Sequence, residues 1–144
     1  MTETRISFLL NHLVREINSQ ANGLLREKFE ITYSQFVFLV IVGENNDIDV
    51  TRLAQAMGVT KGAVSKRLSW FVERKFVTTY QSQLDAKRVL IALTKTGATL
   101  VNSAGNYLER EFLAAISKSP DFNQEILQSE LSKMLLLLNS KRKL

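Results

Sequence analysis

Cysteine does not occur in these 144 residues, and histidine and proline occur once each. The first absence excludes a disulfide framework, a thiolate nucleophile, a cysteine-based zinc site and a cysteine redox sensor. The lone histidine, His12, has no cysteine or paired carboxylate at ligand spacing, so it reads as a structural or surface residue. A glycine-rich phosphate loop, a metal-spaced cluster and a nucleophile beside a base are also missing. An enzyme, a metal site and a cofactor are therefore not expected. No apolar run approaches the ~18 residues of a membrane span. The opening Met1-Thr2-Glu3-Thr4-Arg5 carries an acid and no apolar signal core, which leads to the expectation of a cytoplasmic protein with no membrane partner.

What is present is a 45% hydrophobic composition, enough for the core of one domain or of a small domain plus an oligomerisation element. The net charge is +5, and its location is informative. Between Asp49 and Leu93 stand eight cations, Arg52, Lys61, Lys66, Arg67, Arg74, Lys75, Lys87 and Arg88, against Asp49, Glu73 and Asp85; the rest of the chain holds eleven of each sign. The whole excess lies in one segment, as expected of a surface that meets phosphates.

That segment reads as a helix-turn-helix. Leu53 and Met57 share a helix face, Ala54 is small enough for a second helix to approach, and Gly58 suits the left-handed residue that ends a helix. Thr60 is placed to cap a second helix with Val64, Leu68 and Phe71 on its inner face. Lys61, Ser65, Lys66, Ser69 and Trp70 fall on the other face, with Gly62 and Ala63 at the start. Short polar and cationic side chains over two turns suit a helix lying in a major groove, where bulk would keep base edges out of reach. The plainer alternative is a helical hairpin with a solvated basic face. Two β-prone runs follow, Phe76 to Gln81 and Lys87 to Leu93, joined by Ser82-Gln83-Leu84-Asp85-Ala86; they predict an antiparallel hairpin, a wing.

At this point the chain resembles the MarR family of winged-helix transcription regulators. The matching signature is Ile31-Thr32-Tyr33-Ser34-Gln35, Leu53-Ala54, Val64-Ser65, Phe76-Val77, Asp85 with Lys87-Arg88, and Leu93-Thr94-Lys95-Thr96-Gly97. The spacing from Asp85 to Thr94 is the one the family keeps between its wing aspartate and the Thr-x-x-Gly of the next helix. Three positions depart: the family has Gly at Lys75, Arg at Thr79, and Arg at Lys87. The resemblance implies a mostly α fold with a small β-wing, a winged helix-turn-helix with long N- and C-terminal dimerisation helices.

The flanking segments carry the helices this requires. Ile6 to Phe29 keeps apolar residues at threes and fours over roughly 36 Å, more than a small winged helix needs to cover itself. Thr32 and Gln35 form a capping box ahead of a helix over Tyr33 to about Val42 that is apolar nearly all round, and so is expected to be buried. Ile48 is a candidate short strand beside the wing. Thr94 to Gly97 caps a helix to about Lys118, Pro120 is placed to open another over about Phe122 to Asn139, and Met134 to Leu138 is apolar on every side. Lys141-Arg142-Lys143 reads first as a solvated tail.

The expected organisation is an N-terminal dimerisation helix over 1–30, a DNA-binding lobe over 31–94 and C-terminal dimerisation helices over 95–144. First and last helices would interleave in a two-fold homodimer. Such a dimer presents two recognition helices to a pseudo-palindrome in double-stranded DNA, roughly 34 Å apart. Thr60, Lys61, Gly62, Ala63, Ser65 and Lys66 are assigned to the groove, and Arg52, Arg67, Arg74 and Lys75 to phosphates. Lys87 or Arg88 reaches the minor groove, with Asp85 orienting them through a salt bridge. The resemblance further implies a ligand-responsive repressor with a small aromatic or anionic effector, and Phe8, His12, Phe36 and Tyr107 are nominated for its pocket. The competing reading is a winged helix that binds DNA without sequence preference or docks another protein.

Overall fold

The computed structural model describes residues 5–140, so the Lys141 to Lys143 tail lies outside the described residues. In chain order the elements are α1 (Ile6–Phe29), α2 (Tyr33–Glu44), β1 (Ile48–Asp49), α3 (Val50–Met57), α4 (Lys61–Glu73), β2 (Val77–Gln81), β3 (Val89–Leu93), α5 (Lys95–Ile116) and α6 (Gln124–Ser140). They fall into two compact units, one ending at Glu109 and the other beginning at Arg110.

The first unit is built by local signals that agree with one another. The capping box forms: the Thr32 hydroxyl accepts from Gln35 N at 3.1 Å, and Gln35 Oε1 accepts from Thr32 N at 2.8 Å. Glu30, left-handed at φ 58°, ends α1 just before it. The strands make an antiparallel sheet in the order β1-β3-β2, with Ile48 beside Ile91 and Thr79 beside Ile91 on its other edge. The wing hairpin and the expected Ile48 strand are therefore both present. The strand after the wing loop begins at Val89 and leaves Lys87 and Arg88 in the turn.

One hydrophobic core gathers Phe38, Leu39, Val42, Ile48, Leu53, Ala54, Val64, Phe71, Val77 and Ile91. Phe38 and Phe71 stack at its centre, ring centroids 4.0 Å apart, which locks α4 onto α2. A second cluster, Leu25, Ile31 and Ala104, joins α1 to α5. Trp70 packs against both clusters, so it belongs to the half-buried seam of α4 and not to the outward face. Full burial of α2 holds for Phe38, Leu39 and Val42, while Phe36, Val37, Val40 and Ile41 stay half-covered.

Burial along α1 is confined to its C-terminal half, at Ala21 and Leu25. Toward its N-terminus Ile6, Leu9, Leu13 and Val14 are exposed by 46–70%. In the second unit α6 has no buried residue, and Leu135 to Leu138 are exposed by 62–74%. This helix opens at Gln124 because the Asn123 side chain accepts from Ile126 N at 3.0 Å. Pro120, expected to open it, sits in the preceding turn, since an asparagine cap satisfies a helix N–H that proline leaves alone.

Candidate nucleic-acid interface

Two caps hold the helix-turn-helix. The Asp49 carboxylate accepts from Arg52 N at 2.9 Å and starts α3, and the Thr60 hydroxyl accepts from Ala63 N at 3.1 Å and starts α4. Between them Gly58 turns left-handed at φ 68°, and the backbone N–H groups of Gly58 and Val59 return to Gln55 and Ala54 carbonyls. Val64 and Phe71 are driven fully into the core, which fixes the rotation of α4. Thr60, Lys61, Gly62, Ser65, Lys66 and Arg67 consequently face solvent, with Ala63 half-covered at the edge. Each of these is small or carries a cation at its outer end, and a β-carbon at Gly62 would meet only the Thr60 hydroxyl, at 3.9 Å.

The remaining cations are spread around this face. Arg52 is exposed on α3. Arg67 Nη1 donates to Ser34 Oγ at 3.3 Å, linking α4 to the first turn of α2. The Arg74 guanidinium carbon lies over the Trp70 ring, 4.0 Å from its centroid. Lys75 is left-handed at φ 60°, the conformation that explains why glycine is the family residue there. Its carbonyl accepts the Thr94 hydroxyl, and the Thr94 oxygen accepts from Gly97 N at 3.0 Å, so the end of α4 is tied to the start of α5.

The wing turn is closed by its own polar groups. Ser82 N donates to Arg88 O and Arg88 N to Asp85 O, both at 3.0 Å, and the Ser82 hydroxyl accepts from Leu84 N and Asp85 N. Asp85 does not form the expected salt bridge with Lys87 or Arg88: its carboxylate accepts the backbone N–H of Lys87 at 3.0 Å. Arg88 Nε pairs instead with Asp49 Oδ2 at 3.0 Å. The reason is direction, because Asp85 curls inward to close the turn while β3 lies beside β1 and carries Arg88 to the start of α3. Lys87 is left as the exposed cation of the turn. The backbone N–H of Arg52 holds the Asp49 carboxyl below its ordinary value; desolvation opposes this, and the Arg88 hydrogen bond and the Arg88 and Arg52 charges add to it. On β2 the Tyr80 hydroxyl donates to Asp47 at 2.9 Å, which pushes the phenol up.

The four residues nominated for a ligand pocket fall two on the exposed part of α1 and two beside the second cluster. Phe8 and His12 are exposed on α1, with the Arg5 guanidinium over the Phe8 ring. Phe36 packs against the second cluster, and Tyr107 meets Phe29 edge-on under the Lys28 ammonium. An open cleft of about 570 Å³ lies nearby, lined by Phe29, Phe76, Lys95, Thr96, Thr99, Leu100 and Ser103. None of the nominated four lines it. Sequence reasoning missed Asp49, Asp47, Tyr80 and Ser34; only Asp49 had a local signal, as an acid directly ahead of a helix.

Comparison with known proteins agrees with this architecture. A family profile described as the MarR family matches residues 31–89. The organic hydroperoxide resistance transcriptional regulator of Bacillus subtilis is 30% identical over 102 residues, covering 71% of this chain and 69% of that protein. In fold the chain is similar to the multiple antibiotic resistance repressor MarR, with TM-score 0.77 at 19% identity over 96% of this chain and 96% of the other. It is also similar in fold to Staphylococcus aureus MepR in a complex with DNA, with TM-score 0.69 at 23% identity over 96% and 99%.

Proposed function

The chain belongs to the MarR family and is a DNA-binding transcriptional regulator, and from that premise we propose that it is a sequence-specific, ligand-responsive repressor acting as a homodimer on a pseudo-palindromic operator. The observation that carries the reading is the outward face of α4, where Thr60, Lys61, Gly62, Ser65 and Lys66 stand exposed and unobstructed around Ala63. Lys61, Ser65 and Lys66 read base edges. Arg52, Arg67, Arg74 and Lys75 hold phosphates, and Lys87 enters the minor groove, with Asp85 shaping the turn beneath it.

The homodimer is supported by two apolar faces that each unit leaves uncovered, Ile6, Leu9, Leu13 and Val14 on α1 and Leu135 to Leu138 on α6. Faces of this size are rare on soluble monomers, and a second copy of the chain covers both. On this reading residues 1–30 and 95–144 dimerise and 31–94 form the DNA-binding lobe. Within these 144 residues no cysteine exists to carry a thiol-based response. The effector is a small aromatic or anionic molecule, and Phe8, His12, Phe36 and Tyr107 remain its nominated contacts, two of them exposed and aromatic or basic.

The test is selection of bound duplexes from a random-sequence pool, followed by competition against unselected DNA. A repressor of this kind prefers its selected site by at least ~10³-fold. Equal affinity for selected and unselected duplexes would make the chain an architectural DNA binder. Aromatic acids that bind should raise Tm and weaken operator binding together, as ligands favouring a second lobe spacing must.

A further inference from the structure

One carboxylate serves two elements at the base of the wing. Asp49 Oδ1 caps α3 while its Oδ2 accepts from Arg88 Nε at 3.0 Å, joining positions 39 apart in the chain. A second tie runs parallel to it, from the Tyr80 hydroxyl on β2 to Asp47 Oδ1 at 2.9 Å. Both outer parts of the wing are thus anchored to residues 47–49, the segment that leads straight into the helix-turn-helix. The Arg88 side chain is 40% exposed and that of Asp49 19% exposed, and a pair this wet contributes little to folding. What it supplies is direction, because a planar guanidinium bonded through Nε has a set orientation.

Resting on the DNA reading above, we infer that Arg88 is a positioning residue whose bond to Asp49 sets the angle of the wing against α3 and α4, so that Lys87 and the outer face of α4 engage one duplex together. Arg88 itself then neutralises no phosphate. Lys87, the exposed cation of the turn, supplies the wing's charge in the minor groove.

The variants are Asp49→Ser, which keeps a capping oxygen and loses the partner, Arg88→Met, and the double. The probes are a duplex that the unmodified chain selects from a random pool, and poly(dI-dC) as unselected DNA. Each single variant should bind the selected duplex about tenfold more weakly and the double no more weakly than either, the mark of one shared interaction. Tm should stay as in the unmodified chain, while minor-groove protection from hydroxyl radicals at the wing is lost and the salt slope flattens equally in both singles, as Lys87 disengages. A slope reduced by about 1 per protomer in Arg88→Met, with Asp49→Ser silent, would make Arg88 a phosphate contact and overturn the inference. Equal losses on both DNAs with a lowered Tm in both singles would reduce the pair to a structural brace and overturn it too. If the unmodified chain selects no duplex, the DNA reading itself fails, and this shows before any variant is made.

Discussion

The α-carbon of Gly97 lies against the backbone carbonyl of Phe76: a β-carbon there would stand 2.0 Å from the oxygen and 2.9 Å from the carbon. The same carbonyl accepts from Thr94 N at 3.0 Å, so the first turn of α5 is pressed onto the chain leading into β2. Neither side can yield, because both are backbone. Gly97→Ala should therefore lower stability on the order of 3 kcal/mol or more, read as a fall in the urea midpoint. Gly43→Ala is the control. Its β-carbon would meet Leu93 Cδ1 at 2.8 Å, the movable end of a side chain, and stability should stay within about 1 kcal/mol.

Lys75 occupies a left-handed position at φ 60°. Glycine removes that strain at some cost in unfolded-chain entropy, so Lys75→Gly should gain about 0.5–1 kcal/mol in urea unfolding. If Lys75 also holds a phosphate, the same variant should show a salt slope smaller by about 1 per protomer. A more stable protein that binds DNA less tightly is the expected result.

Three or four phosphates per protomer in a dimer give a log–log salt slope of about −5 to −7. Lys87→Ala should weaken binding to every sequence alike and flatten the slope. Ser65→Ala and Lys66→Ala should change which duplex is selected. Identical behaviour of the two groups in parallel selections would contradict the division between groove and wing.

The exposed leucines of α6 give a direct test of assembly. Leu136→Lys combined with Leu137→Lys removes two side chains exposed by 74% and 66% that make no contribution to the core of a single chain. Sedimentation should find the unmodified chain dimeric and the variant monomeric with its helical circular dichroism kept. A monomeric unmodified chain at micromolar concentration would refute the homodimer.

Asp49 carries a pH signature. Its folded carboxyl titrates below the ordinary value of 3.8, chiefly through the Arg52 N–H, so its stabilising share is complete above that value and is lost as pH falls through the lower folded one. The Tm difference between the unmodified chain and Asp49→Ala, which also removes the capping oxygen, should be constant near neutrality and shrink below pH 3.8. A difference that grows with acid would reverse the sign and show that the carboxylate is a burden in the fold.

Much of this was readable from local chemistry. The span of α1, the Thr32 and Gln35 box, the Gly58 turn, the Thr60 cap and the wing hairpin all rest on contacts within four or five residues, or on strands joined by a short turn, and all appear as expected. The location of the excess positive charge was equally plain, since it needs only counting along the chain. Where two local signals competed, the outcome was harder to read, as at α6, where Asn123 rather than Pro120 made the cap.

Tertiary structure decided the rest. Trp70 was placed outward by its helical position and is half-buried because two clusters meet at it, one of them built from α1 and α5. Sequence proximity pairs Asp85 with Lys87 and Arg88, yet Arg88 is held by Asp49 because the sheet order β1-β3-β2 lays the start of α3 beside the end of the wing. A local pattern states which face of an element is apolar and which residues can cap it; which side chain waits opposite depends on strand order and on packing between segments some 33 to 39 positions apart, and no periodicity within either segment encodes that.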